Sequence, residues 1–235
     1  MAFRPGRPGF FDSKSACLRI MINEYFLRQV KMLDSLNEII LAGTAATAPI
    51  FDHTVLGERF YLLFAAVRRL SGYEDVLPVT VSESLLPGCE ISPGARLFIN
   101  GEIRSYTRFF DGRNHLVIRV FAKDLAKGAP FDSDVNETRI SGRIAKPVVY
   151  RTTPFSREIA DVVVAVDRGL MKRYVLPAIA WGRNARNAEL LKPGDAVRIT
   201  GRLQSREYIK RLPDDTEEKR TAYEISCASI ERFYS

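Results

Sequence analysis

From residue 196 to 210, cations and an aromatic ring alternate with apolar residues at a period of two. Val197, Ile199, Gly201 and Leu203 fall on one side, and Arg198, Thr200, Arg202, Gln204, Arg206, Tyr208 and Lys210 on the other. Successive side chains of a strand point to opposite faces, so the first set belongs to an interior and the second forms an exposed row of four cations and a ring. Guanidinium and ammonium groups hold phosphates, and a flat ring stacks on a base whatever its identity. Such a face suits single-stranded nucleic acid; charge alternation on a solvated outer face is the competing explanation.

A second group lies just upstream. Trp181, the only tryptophan, ends an apolar run as Ala180-Trp-Gly182, with Arg183 and Arg186 after it and Lys172, Arg173 and Tyr174 before it. Its parity matches Val175 and Ile179, which leaves open whether the indole anchors a core or offers a stacking platform; the flanking cations favour a groove. About 100 residues earlier a related strand would turn Arg96, Phe98, Asn100, Glu102, Arg104, Tyr106, Arg108 and Phe110 outward. Glu102 interrupts that row, and Ser82 stands where Trp181 would be.

The two rows belong to an internal repeat. Asn37-Glu-Ile-Ile-Leu-Ala-Gly43 returns as Asn136-Glu-Thr-Arg-Ile-Ser-Gly142, Ala66-Val-Arg-Arg69 as Ala165-Val-Asp-Arg168, and Val76-Leu-Pro78 as Val175-Leu-Pro177. Pro93-Gly94 and Gly101 are matched by Pro193-Gly194 and Gly201. Solenoid units span ~20–50 residues, so a period near 100 means two copies of one small domain. The second copy reads as five strands: Thr138–Ala145, Ile159–Val166, Tyr174–Trp181, a long one after the Lys192–Asp195 turn, and Tyr223–Ile230 beyond the polar loop Pro213–Lys219. A short helical or irregular stretch, Asn184–Leu191, separates the third from the fourth. That order suits an OB-type barrel. The first copy repeats it, with an Asp111-Gly112 hairpin turn.

The expected fold is all-β: two tandem OB-fold, five-stranded Greek-key barrels with a short N-terminal helix. Residues 1–36 would form a basic arm and the helix, 37–130 a divergent OB-fold domain, and 136–235 the second OB-fold domain.

Of the net charge of +7, residues 1–36 carry six basic and three acidic groups, residues 37–135 ten and twelve, and residues 136–235 nineteen and thirteen. The regional values are therefore +3, −2 and +6, and the second copy is the expected polyanion binder. The first copy would bind weakly or serve assembly. Cys17, Cys89 and Cys227 are far apart and odd in number, and neither His53 nor His115 has a partner at metal-ligand spacing. No phosphate-cradling glycine loop, nucleophile motif or catalytic carboxylate pair is present. Binding without enzymatic activity, metal or cofactor is expected. The chain has neither an apolar run long enough to span a bilayer nor a leading hydrophobic signal, which points to the cytoplasm and the nucleoid.

Three segments of the second copy also resemble the bacterial single-stranded DNA-binding protein family. They are Asn136 with Ile140-Ser-Gly-Arg143, Pro177-Ala-Ile-Ala-Trp-Gly-Arg-Asn-Ala185, and Gly194-Asp-Ala-Val-Arg-Ile-Thr-Gly-Arg-Leu-Gln-Ser-Arg-Glu-Tyr208. The resemblance implies an OB fold that coats single-stranded DNA without sequence specificity in replication, recombination or repair. It also implies that Trp181 and Tyr208 stack on bases, that Arg202 and Arg206 lie on the contacting strand, and that two chains assemble to give four barrels. The family's acidic tail with a hydrophobic tip has no counterpart after Ile230-Glu-Arg-Phe-Tyr-Ser235. The rival expectation is a protein-interaction or primosome-like scaffold of OB barrels with weak nucleic-acid binding. RNA stays open as a ligand.

Overall fold

Alternating burial runs through nearly every strand of the computed structural model. It describes residues 36–233 except 87–89, 111, 131, 169–172 and 212–214. The expected N-terminal arm and helix, with Cys17, lie outside the described residues, as do Cys89, Asp111 and Lys172.

The first copy contributes β1 (Asn37–Ala45), β2 (Ile50–Val55), β3 (Glu58–Arg68), β4 (Glu74–Ser82), β5 (Arg96–Phe110) and β6 (Arg113–Lys127). The second contributes β7 (Val135–Ile144), β8 (Val149–Thr152), β9 (Glu158–Asp167), β10 (Arg173–Trp181), β11 (Ala196–Arg211) and β12 (Glu217–Arg232), with helix α1 (Arg183–Glu189) between β10 and β11. The hydrogen-bonded order is β2-β3-β4-β6-β5-β1-β7-β11-β12-β10-β9-β8, which reads the same from either end once the copies are exchanged. A second pairing of β1 with β3 closes the first five-stranded barrel, and that of β7 with β9 closes the second. The short strands β2 and β8 are additions to the expected five, each hydrogen-bonded to the outer side of its barrel. The final hairpin is also longer than expected, since β12 begins at Glu217.

The repeated residues are the ones barrel closure needs. Asn37 bridges to Ile103, accepting its N–H at 3.0 Å and donating to its carbonyl at 2.9 Å. Asn136 makes the same pair of bonds to Leu203, at 3.0 and 2.7 Å. A Cβ at Gly43 would collide with the Ala66 carbonyl oxygen, and one at Gly142 with that of Ala165. Only glycine lets β1 and β7 bend this close to the strands that close each barrel. Both long hairpins also carry a bulge at the same place, where Lys123 of β6 lies opposite the Asn100–Gly101 step and Ala228 of β12 opposite the Thr200–Gly201 step.

The barrels join through antiparallel pairing of β1 with β7, in which Asn37 lies opposite Ile140 and Leu41 opposite Asn136. Because these pairs exchange under the repeat, a local pseudo-two-fold axis passes near Ile39 and Thr138. Leu63, Leu77 and Ile103 fill the first interior, and Val164, Leu176 and Leu203 the second. Helix α1 buries Ala185 and Ala188 against the second barrel. In the first, Ser82 instead begins the 3-10 turn Glu83–Leu85 and accepts from the Ser84 N–H at 3.0 Å.

Candidate nucleic-acid interface

The pseudo-axis brings β4 against β11 and β10 against β5, so the expected outer row of β11 is partly covered. Val197, Ile199 and Leu203 do point inward. On the other side, however, Gln204 is buried too, and Ser205, which continues the inward parity past Leu203, is covered by the first barrel. Ser205 donates its backbone N–H to the Asp75 carboxylate at 2.7 Å, and Arg69 pairs with that carboxylate at 2.6 Å. Arg202 is half-buried beside this pair; burial and the nearby Arg69 lower its pKa from the usual guanidinium value, against the pull of Asp75. It therefore lies beside the junction between barrels, half-covered, while still lining a depression of about 460 Å³ with Asn136, Thr200 and Ser226.

Tyr174 also departs from expectation. It is 4% exposed, with the Arg168 guanidinium 5.3 Å from its ring centre. Burial raises the pKa of its hydroxyl, and the nearby Glu102 carboxylate adds to the shift, although the two form no well-aligned hydrogen bond. Its ring helps to floor a groove, but it is packed too deeply to offer a free stacking face. The neighbouring Val175 donates its N–H to Ser105 Oγ of the other barrel at 2.8 Å; Ser105 and Ser205 are equivalent, but the partner here is one residue beyond the counterpart of Asp75.

The remaining candidates divide among several surfaces. Trp181 is 42% exposed at the end of β10. Gly182, with φ of +53°, then turns the chain into α1 in a conformation that non-glycine residues rarely adopt, and this carries exposed Arg183 to the same end of the barrel. Arg173, at the opposite end of β10, is engaged by Asp167 at 2.9 Å. Arg198 is half-buried, its guanidinium 5.3 Å from the Phe233 ring centre. Arg206 lies 5.8 Å from the centre of the Tyr208 ring and 3.5 Å from the Glu224 carboxylate. Tyr208 and Lys210 line a depression of about 660 Å³ shared with Phe110, His115 and Leu116 of the β5–β6 hairpin and with Pro78 and Pro177. The protruding hairpins of the two barrels thus face one depression.

Arg104, Tyr106 and Arg108 lie together in a second groove, of about 580 Å³. Arg119 and Phe121 of β6, His53 of β2 and Arg168, just after β9, complete it. The Arg104 guanidinium lies 3.2 Å from the Phe121 ring centre and pairs with Glu102 at 2.7 Å. Arg119 is held by Asp52 at 2.6 Å and lies 5.9 Å from the Tyr106 ring centre. Burial alone would raise the pKa of Asp52, but its bonds to Arg119 and His53 outweigh this and lower it. Arg119 lines both depressions, so they meet at its side chain. The sequence reading missed Arg119 and Phe121, although period-2 sorting of the fifth strand would have found them, since Ile118 and Val120 beside them are interior residues. Arg168 and His53 left no such signal, because only tertiary packing carries them to this groove.

Cys227 is buried, and desolvation pushes its thiol to a pKa of about 12, so it stays protonated. Among the described residues no cluster of three or more His, Cys, Asp or Glu could hold a metal ion, and no helix is long and apolar enough to cross a membrane.

Fold and grooves together define a tandem OB-fold protein whose outer surface mixes arginine with aromatic rings. Residues 135–233, the second barrel, match the Single-strand binding protein family. Among solved structures, a deletion mutant of the single-stranded DNA binding protein from Thermus aquaticus superposes with a TM-score of 0.70 at 20% identity, covering 87% of this chain and 97% of that one. The wild-type protein does so with a TM-score of 0.70 at 19% identity, over 86% and 95% of the two chains. The N-terminal domain of PriB from Thermoanaerobacter tencongensis aligns at 34% identity over 40% of this chain and 97% of its own, with a TM-score of 0.35. No curated protein matches the chain in sequence.

Proposed function

We propose that the protein binds and covers single-stranded DNA without sequence preference, protecting it during replication, recombination or repair. The observation that carries this reading is the mixed surface on both barrels: arginines beside exposed Tyr106 and Tyr208 in grooves open enough for a flexible strand, with exposed Trp181 at the end of β10. Arginine neutralises phosphates while rings stack on bases, and neither interaction asks for sequence. The match of residues 135–233 to the Single-strand binding protein family supports the ligand. The role is one of binding and not of catalysis, and it suits a cytoplasmic protein associated with the nucleoid. A homodimer would supply four barrels around which a strand could wrap.

The test is a titration of Trp181 fluorescence with oligo-dT at several salt concentrations. Quenching is expected, with log K falling by about 0.7 per phosphate contact per unit of log salt. Absence of both quenching and binding at low salt would overturn the proposal. A salt-independent affinity would favour an apolar protein interface.

A further inference from the structure

The groove on the first barrel has a pseudo-symmetric counterpart on the second, and the repeat lets them be compared position by position. Arg104, Tyr106 and Arg108 on β5 correspond to Gln204, Arg206 and Tyr208 on β11, by the offset that also relates the bulge glycines Gly101 and Gly201. On the paired strands, Arg119 lies opposite Arg104, while Glu224 lies opposite Gln204. By the same matching Thr107 becomes Glu207 and Phe121 becomes Ser226. Four arginines and one aspartate line the first-barrel groove, a net of +3, or +2 with Glu102, which pairs with Arg104 behind them. The equivalent positions hold three arginines (Arg69, Arg151, Arg206) and three carboxylates (Asp75, Glu207, Glu224), a net of zero, or +1 with Arg202 in the place of Glu102. Arg69 and Asp75, moreover, are consumed in the junction.

Resting on the single-stranded DNA reading, we infer that the order of the halves is the reverse of what domain charge suggests: the first-barrel groove is the tighter half of the path. The strand sits first on Tyr106, between Arg104 and Arg108, passes Arg119, and reaches Tyr208 in the adjoining depression. Trp181, at the far end of β10, is engaged only by a longer strand. Charge supports this order because Arg108 and Arg168 face the first groove in no ion pair among the described residues, whereas Arg206 and Lys219 of the second hairpin answer Glu224 and Glu207. Ring chemistry supports it too, since Phe121 backs Arg104 where the second barrel has only Ser226.

Trp181 makes the order measurable, being the sole tryptophan and remote from the first groove. Labelled oligo-dT of about 10 and about 40 nucleotides, lengths chosen against the ~4–16 nucleotides one OB fold covers, is titrated into the full chain. Anisotropy reports binding and Trp181 emission reports arrival at the second barrel. The short oligonucleotide is expected to saturate without quenching, and the long one to quench. Tyr106→Ala should weaken the short complex about tenfold or more, the loss of one stacked base, while Arg206→Ala changes it by less than about threefold, as expected of a guanidinium already shared with a carboxylate. Quenching by the short oligonucleotide at its binding midpoint, or a larger effect of Arg206→Ala than of Tyr106→Ala, overturns the order but not the DNA reading. No binding by either length overturns both.

Discussion

Asp75 and Tyr174 occupy the same position in the two barrels, one strand residue from the same junction, and do opposite things. In the first barrel Asp75 is fully buried, paired with Arg69 and bonded to the Ser205 backbone of its neighbour. In the second, Tyr174 is nearly as buried but meets Arg168, the counterpart of Arg69, through its ring. The backbone frame is symmetric and the chemistry at its centre is not. A duplicated fold can therefore keep its strand register while one half provides an ionic lock and the other frees an arginine for the groove.

The largest test of this contrast is Asp75→Ala. Removing one partner of a buried pair strands the other, so urea unfolding should show a loss of about 3–5 kcal/mol. Tyr174→Phe, at the equivalent place, should change stability by less than about 0.5 kcal/mol, because it deletes a hydroxyl that approaches Glu102 without a well-aligned hydrogen bond. Similar losses for the two would break the comparison.

Closure, by contrast, should be symmetric. Gly43→Ala and Gly142→Ala each force a methyl onto a carbonyl oxygen, and each should cost about 1–3 kcal/mol of stability. An imbalance well beyond that range would show that the barrels are not closed in the same way. For binding, Trp181→Ala should lower affinity for a long oligo-dT by about 1–3 kcal/mol. An unchanged anisotropy titration would remove the second barrel's far end from the path.

The smallest expected effect concerns acid. Burial alone would raise the pKa of Glu102, but hydrogen bonds from Lys123 and Arg104 outweigh it and lower the value. A carboxylate with a depressed folded pKa contributes stability that is complete above its unfolded pKa of about 4.3 and is lost as pH falls through the folded value. Glu102→Gln should accordingly flatten the acid limb of the stability curve below about pH 4. An unaltered limb would mean that the pairs in the first groove add nothing measurable.

Much of the architecture was legible because barrel closure imposes strict local demands. Asn37 and Asn136 must bridge to the long strand, and Gly43, Gly142, Gly101 and Gly201 must admit a neighbouring backbone, so these residues recur at nearly fixed spacing. Interior positions alternate for the same reason. The edge strands β2 and β8 were less legible, since Ile50, Phe51 and Val149 are exposed and lack the alternation that marks a half-buried strand.

The sequence by itself determined two OB barrels, their strand order and an arginine–aromatic surface, because period-2 patterning and close backbone approaches are written locally in residue type. Only the tertiary structure decided which of those side chains remain outside. Pairing β1 with β7 lays β4 over β11, which buries Gln204 and Ser205 and half-buries Arg202, while Arg168 is carried across to face Arg104 and Tyr106. Net charge counts every carboxylate alike. Asp134, committed to Arg96 and to the Arg68 N–H, weighs on the first domain's total without lining its groove, and so the less basic domain holds the more basic cleft.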